Sequence, residues 1–408
     1  MKTAVLAYSG GLDTSCMIGW LKEDYGYDEV VAVLVDVGQD ANFEPAFARG
    51  RAAGADDVVL VDRKEEFADE QVAKTLIANA LYENKYPLVS ALSRPVIAEA
   101  VAEIALGLDA EAVVHGCTGK GNDQVRFELA FKAKYPGVKV IAPLRDNVWT
   151  RDAEIAYAES RGIPVEAKQD SPFSIDDNLF GRACEAGILE DPWNAPPEAA
   201  YVMTGNPANA PAPDEIVIGF EQGLPVSLDG EELPLWQLIL QLNELAGPYG
   251  IGRIDMIENR SVGIKSREVY ECPGALALLM AHADLEDITL ERDLAHEKAR
   301  LEPRYADLVY DGLWFSPLKQ ALDAFVDESQ RFVTGEVRLR CEVPGRCLAV
   351  GRRSEVGLYD YGLATYEAAD RFRHDHSEGF VRLWGLGVET WAARQALSGE
   401  PRRRDERQ

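Results

Sequence analysis

Only six cysteines occur in 408 residues, and no two of them form a C-x-x-C pair, so neither a zinc ribbon nor a disulfide framework is encoded. Spread over the whole length as Cys16, Cys117, Cys184, Cys272, Cys341 and Cys347, they read as reduced thiols packed as small hydrophobes. No apolar run approaches the roughly 18 residues of a membrane span. Met1 leads directly into the strand-like Thr3–Ala7, without the basic and apolar regions of a secretory signal. A cytoplasmic protein with no membrane partner is expected. Basic residues are also scarce: 42 Lys and Arg face 69 Asp and Glu, and the net charge of −27 repels polyphosphate backbones. No nucleic-acid partner is expected. With 47% hydrophobic and 27% charged residues, the composition excludes disorder, collagen and coiled coil, and the length suits two or three domains.

The first 165 or so residues alternate short apolar runs (Val5–Tyr8, Val30–Val37, Val58–Val61, Ala112–His115, Val138–Ala142) with stretches of helical period. That pattern predicts a doubly wound α/β domain whose parallel sheet is covered on both faces. Gly54, Gly107 and Gly162 follow helical stretches as terminating residues, and Asn42 and Asp152 sit where a cap or first-turn carboxylate helps. Residues 191–214 are rich in Pro, Ala and Asn and predict an irregular connection. Beyond it, strands are predicted at Ile216–Phe220, Pro225–Leu228, Arg253–Met256, Val262–Lys265, Val333–Arg340 and Leu348–Gly351, with a helix over Leu235–Leu245, an α+β arrangement. Gly362–Leu397 carries apolar residues at helical spacing, and Arg402-Arg403-Arg404 behind it reads as a solvated tail.

Between the first strand and a helix running to about Leu21 lies Ala7-Tyr8-Ser9-Gly10-Gly11-Leu12-Asp13-Thr14-Ser15. Two glycines let the backbone turn tightly toward an anion, and Ser9, Thr14 and Ser15 add hydroxyls beside the free amides of a helix start. The loop lacks the Walker A lysine and the G-x-G-x-x-G fingerprint of dinucleotide folds. It has instead an acidic Asp13, which suits Mg²⁺ bound to pyrophosphate rather than bare phosphate.

A second glycine-rich block, His115-Gly116-Cys117-Thr118-Gly119-Lys120-Gly121-Asn122-Asp123-Gln124-Val125-Arg126-Phe127, again follows an apolar strand and opens a helix. Its Thr118, Asn122, Asp123 and Arg126 offer the donors and acceptors that hold the two charged ends of an amino acid. The likeness of Gly116–Gly121 to a Walker loop is superficial, because the spacing is wrong. His115, at a strand end, reads more naturally as structural than as a proton carrier, and His374-Asp375-His376 as a polar loop rather than a metal site.

The S-G-G-x-D-[ST]-S pattern resembles the PP-loop of the ATP pyrophosphatase superfamily. With the second block, with Tyr86 to Pro95, Ser174 to Asn178, Glu185 to Glu190 and Gly252 to Glu271, and with Gly357–Tyr366, nearly the whole chain resembles the argininosuccinate synthase family. The resemblance implies an adenine nucleotide α-hydrolase-like domain over 1–168, a synthetase domain over 169–361, and a C-terminal oligomerisation helix and tail over 362–408 that assembles a homotetramer. ATP, with Mg²⁺, would be held by Ala7, Tyr8, Ser9, Gly10, Gly11, Leu12, Asp13, Thr14 and Ser15, with Val35 beside the adenine and Gly116 approaching the nucleotide. L-Aspartate would be held by Thr118, Asn122 and Asp123. L-Citrulline would be held by Tyr86, Asn122, Arg126, Ser174, Glu258 and Tyr270, with Arg126 pairing its carboxylate and Glu258 among the polar groups at its other end.

Catalytic roles fall to Asp13 and Asp123, the latter orienting the aspartate amine or keeping it deprotonated. No protein nucleophile is implied. Ala91 and Ala183 stand where many relatives carry serine, each removing one hydroxyl contact worth about 1 kcal/mol. The competing readings are another PP-loop adenylating enzyme, amidotransferase-like or tRNA-modifying, and a non-catalytic nucleotide-binding regulator.

Overall fold

The apolar runs of the first half all become strands in the computed structural model, which describes residues 1–39, 41–146, 149–164, 173–342 and 344–398. These are β1 (Thr3–Ala7), β2 (Glu29–Asp36), β3 (Asp57–Asp62), β4 (Ala112–Val114) and β5 (Lys139–Ile141). They pair in parallel in the order β3-β2-β1-β4-β5. Alternation along the strands divides their side chains between two cores. Ala4, Leu6, Val30, Ala32 and Leu34 pack with Met17, Ile18 and Leu21 of the Leu12–Glu23 helix. Val5, Val31, Val33 and Val113 pack with Val96 and Val101 of the Val89–Gly107 helix, in a core continuous with the second half of the chain. Both faces of the central strands β1, β2 and β4 are therefore dry, which is why they read as unbroken apolar runs, while the edge strands β3 and β5 are partly exposed.

The strand order reverses between β1 and β4, so the turns leaving their carboxyl ends open side by side. In an open parallel sheet this switch point is where a ligand binds.

Two antiparallel sheets follow. The first contains β6 (Ser174–Asn178), β7 (Gly181–Glu185), β11 (Arg253–Asn259) and β12 (Lys265–Glu271), in the order β11-β12-β7-β6. The second contains β8 (Asp214–Glu221), β9 (Leu224–Leu228), β10 (Glu231–Glu232), β13 (Gly335–Glu342) and β14 (Arg346–Arg353), in the order β10-β9-β8-β13-β14. Gln222 and Gly223, both at positive φ, close a tight two-residue hairpin between β8 and β9. The Leu235–Ala246 and Pro273–Thr289 helices cover the second sheet with Leu238, Ile239, Leu242, Leu278 and Leu285.

Several sequence expectations need correction. The Val89–Gly107 helix runs through Gly107, and Asp109 at φ +50° makes the left-handed turn instead, whereas Gly54 and Gly162 do turn as expected. Val262–Lys265 is not a strand: Arg260 N–H bonds Ile264 O at 2.8 Å across a hairpin, and β12 starts at Lys265. The helical period over Gly362–Leu397 resolves into two helices, Tyr361–Ala364 and Asp375–Ser398, because Arg371 and Asp360 tie the segment between them into an irregular loop. The arginines at 402–404 lie outside the described residues.

The connection over 191–214 is irregular, as expected, yet it is firmly attached. The buried Glu271 carboxylate accepts from the amides of Val202, Met203 and Thr204 at 2.9–3.0 Å, from Thr204 Oγ1 at 2.6 Å and from Arg182 Nη1 at 2.9 Å. The chain forms two compact units, Met1–Gly357 and Leu358–Gln408, and all the sheets belong to the first.

Candidate functional site

The turn after β1 is built from its own side chains. Gly10 adopts φ +78°, and a Cβ there would lie 2.5 Å from Ala46 Cβ, so only glycine brings the backbone this close to the Glu44–Ala52 helix. Arg49 of that helix donates to Gly10 O. Ser15 Oγ donates to Gly11 O at 2.7 Å and lies 2.9 Å from Tyr8 OH, which bonds Ala46 O at 3.1 Å. Tyr8 and Ser15 are thus spent on holding the turn. Ser9 Oγ and Thr14 Oγ1 lie 3.1 Å apart, and Ser9 is exposed at the helix start, where amides and dipole attract an anion. Asp13 stands in the first helical turn.

Gly116 leaves β4 against this turn. A Cβ on it would meet Thr14 Cγ2 at 2.9 Å, so the two glycine-rich blocks are in contact. Val35 is packed in the core near the end of β2, with its carbonyl taken by Gln39 Nε2 at 3.0 Å, so little of its side chain faces outward. His115 is buried, its Nδ1 accepts from Cys117 N at 3.2 Å, and burial pulls its pKa down to about 4. It is a structural histidine.

The residues of the second block meet one face of the four-stranded sheet. Register places Ser174 and Asp176 of β6, Ala183 and Glu185 of β7, Ser266, Glu268 and Tyr270 of β12, and Glu258 of β11 on that face by alternation. Tyr270 OH donates to Glu258 Oε2 at 2.8 Å and its ring stacks on Tyr86 with centroids 4.1 Å apart. Tyr86 OH accepts the Ser90 amide at 2.9 Å. Arg126 Nη1 donates to Asp123 Oδ1 at 2.8 Å, while Arg94 donates to Asp123 Oδ2 at 2.9 Å and grips Asp176 with both terminal nitrogens. Tyr310 bonds Asn122, Arg126 and Glu258, so Asn122, Asp123, Arg126, Glu258 and Tyr270 share one polar network, which Tyr86 joins through its ring. Ser174 stands at its edge, opposite Glu185, whose carboxylate meets Arg260 at 2.7 Å; Arg260 also donates to Lys120 O in the loop that holds Thr118.

Burial raises the Asp123 carboxyl pKa, but the Arg94 and Arg126 guanidiniums outweigh it and set the value at about 2. Glu258 is shifted the other way: burial raises its pKa, and the Tyr270 and Tyr310 hydroxyls oppose the rise. Arg126 Nη2 is buried without a protein hydrogen bond, which leaves one strong donor for a bound anion.

Arg94, Asp176 and Tyr310 were not singled out from the sequence. Arg94 and Asp176 lie inside the quoted Tyr86–Pro95 and Ser174–Asn178 motifs, so the signal was present without a role attached. Tyr310 ends a helix far along the chain, and nothing local marks it.

A doubly wound parallel sheet carrying a phosphate-type turn without a Walker lysine, in contact with a buried network of Arg, Asp, Glu and Tyr side chains, defines a nucleotide-dependent enzyme of the HUP class. Residues 3–164 match the family model described as the arginosuccinate synthase N-terminal HUP domain, and residues 173–391 match the arginosuccinate synthase C-terminal domain. The argininosuccinate synthases of Bacillus licheniformis and Bacillus subtilis are 55% and 54% identical over 386 residues, covering 94% of this chain and 95% of theirs. That of Geobacillus kaustophilus is 56% identical over 383 residues, 94% of each chain. The chain belongs to the argininosuccinate synthase family.

Proposed function

We propose that the protein joins L-citrulline to L-aspartate at the expense of ATP, as an ATP-dependent carbon–nitrogen ligase of arginine biosynthesis. The observation that carries this reading is the contact of the anion-binding turn with the second block, whose polar network has both a free cationic donor and buried carboxylates. A ureido oxygen is a poor leaving group, so it is activated first. It attacks the α-phosphorus of ATP, pyrophosphate leaves, and citrullyl-AMP forms; the aspartate amine then attacks the isourea carbon, and AMP departs with the former ureido oxygen.

The protein's part is alignment and charge stabilisation. The Gly10–Ser15 turn receives the departing pyrophosphate with its amides and the Ser9 and Thr14 hydroxyls. Arg126 Nη2 takes the citrulline carboxylate. Asp123, with its pKa at about 2, is a poor base near neutral pH, and it therefore orients the aspartate nitrogen rather than serving as its base; the ammonium gives up its proton to solvent before the free amine attacks, and the second proton lost as the C–N bond forms leaves with AMP. Asp13 supplies one hard oxygen beside the turn, which suits an ion coordinated mostly by phosphate and water. Bound there, Mg²⁺ neutralises charge on pyrophosphate.

On this reading residues 1–168 bind ATP, 169–361 complete the amino-acid pockets, and 362–408 serve assembly. In the Asp375–Ser398 helix, Phe380, Leu383, Trp384, Val388 and Trp391 are between 61% and 76% exposed. Burying each such side chain stabilises by about 1.5–3 kcal/mol, which supports association into a homotetramer. Among the described residues no helix is long and apolar enough to cross a membrane, in keeping with a cytoplasmic enzyme.

Incubation with ATP, Mg²⁺, citrulline and aspartate should yield argininosuccinate, AMP and pyrophosphate in equal amounts. ADP and orthophosphate as products would overturn the reading.

A further inference from the structure

Tyr310 is the last residue of the Arg292–Tyr310 helix and is almost wholly buried. The helix end comes close to the second block: Gly312, at φ +75°, would place a Cβ 2.9 Å from Arg126 Cα. Five contacts converge on Tyr310. Its carbonyl accepts from Arg126 Nε at 2.9 Å, and the Arg126 guanidinium lies 4.9 Å from its ring centroid. Its hydroxyl accepts from Asn122 Nδ2 at 2.8 Å and donates to Glu258 Oε1 at 2.8 Å. Tyr82 stacks flat on its ring, with centroids 3.6 Å apart and planes 5° from parallel.

The contacts with Arg126, Asn122 and Glu258 each fix a group the family resemblance assigns to citrulline. With Nε on Tyr310 and Nη1 on Asp123, Arg126 keeps Nη2 as its open donor. With Oε1 and Oε2 engaged by Tyr310 and Tyr270, Glu258 is held in one orientation. We propose that Tyr310 is a positioning residue for the citrulline site, locking Arg126, Asn122 and Glu258 into one preorganised unit by its carbonyl and hydroxyl. The inference rests on the proposed function.

Glu258 is faced by Tyr270 and Glu268 of β12, by Arg260 of the hairpin, by Arg126, and by Tyr82, Tyr86 and Tyr310. Burial already raises its pKa, and a lost hydroxyl donor raises it further, so its ionised form fails at a higher pH.

The test is Tyr310→Phe, which keeps the ring and the carbonyl and removes only the hydroxyl. The Michaelis constant for citrulline should rise about tenfold, that for ATP should change less than twofold, and kcat less than threefold. The acid limb of kcat/KM for citrulline should move to higher pH. Tyr305→Phe is the control, since Tyr305 on the same helix is buried and donates to Asp323 at 2.7 Å, away from the network; it should leave both readouts in place. Equal loss toward citrulline and ATP, an unmoved acid limb, or the same behaviour in the Tyr305 variant would overturn the assignment. A wild-type enzyme without citrulline-dependent ATP–pyrophosphate exchange would instead sink the parent reading.

Discussion

Gly10 carries the most exacting demand in the nucleotide turn, and Gly10→Ala puts a number on it. Alanine at φ +78° costs about 1 kcal/mol in backbone conformation alone. The added methyl would sit 2.5 Å from Ala46 Cβ, where ordinary contacts begin at 3.4 Å, so the turn and the Glu44–Ala52 helix must separate by close to an ångström. Overpacking of this kind adds about 1–3 kcal/mol. A displacement of about 1 Å in groups that align a reacting phosphate costs on the order of 100-fold in rate. Citrulline-dependent ATP–pyrophosphate exchange should therefore lose about two orders of magnitude in kcat/KM for ATP, while the fold survives in thermal denaturation. Adding Ala46→Gly removes the clash and not the φ penalty, so the double variant should recover much of the lost rate. Gly11 is a useful comparison for stability: its φ is −73°, and a Cβ there meets only Ser9 Oγ at 3.3 Å, so Gly11→Ala should lower the melting temperature less. A Gly10→Ala enzyme within threefold of the parent, or a double variant with no recovery, would show that the close approach has no bearing on ATP.

Asp123→Asn leaves Arg94 and Arg126 without their shared anion, and argininosuccinate formation should fall further than citrulline-dependent exchange; equal losses would refute the aspartate assignment. His115 has a folded-state pKa near 4 against an ordinary 6.5, so below that ordinary value the unfolded chain takes up a proton that the native ring refuses. Stability should drain away between about pH 6.5 and 4, by on the order of 3 kcal/mol, and chemical denaturation of His115→Gln should show that slope reduced. Trp384→Glu, placed on an exposed apolar stretch of the Asp375–Ser398 helix, should lower the mass seen in sedimentation without altering the melting of the first unit; an unchanged mass would remove that helix from assembly.

The parallel sheet was legible because its central strands are dry on both faces, so β2 is apolar for nearly its whole length and periodicity needed no tertiary information. The two glycine-rich turns were legible for a related reason: their conformation is written locally, at Gly10 and around Gly116. What the sequence hid was set by distant contacts. Val262 and Ile264 look like strand residues, yet the hairpin of Arg260 places them in its turn. Gly107 looks like a helix stop, but it is the last helical residue of Val89–Gly107, and the left-handed turn falls at Asp109. Tyr310 meets Asn122 and Glu258 across separations of 188 and 52 residues, which no local pattern records. Arg94 reaches Asp176 across 82 residues, and its importance appears only when the two segments are folded together.

Strand β12 ends with Tyr270 and Glu271 pointing to opposite faces, the first onto Glu258 and Tyr86 and the second onto the amides of 202–204. Tyr270 of the polar network is thus the immediate neighbour of the anchor of a stretch whose Pro- and Ala-rich composition suggests a passive spacer. A tag or foreign loop spliced next to Tyr201 would pull on Glu271 and, one residue back, on the ring stacked against Tyr86. The upstream part of the same stretch, where Trp193 stands 93% exposed, is the safer place to graft.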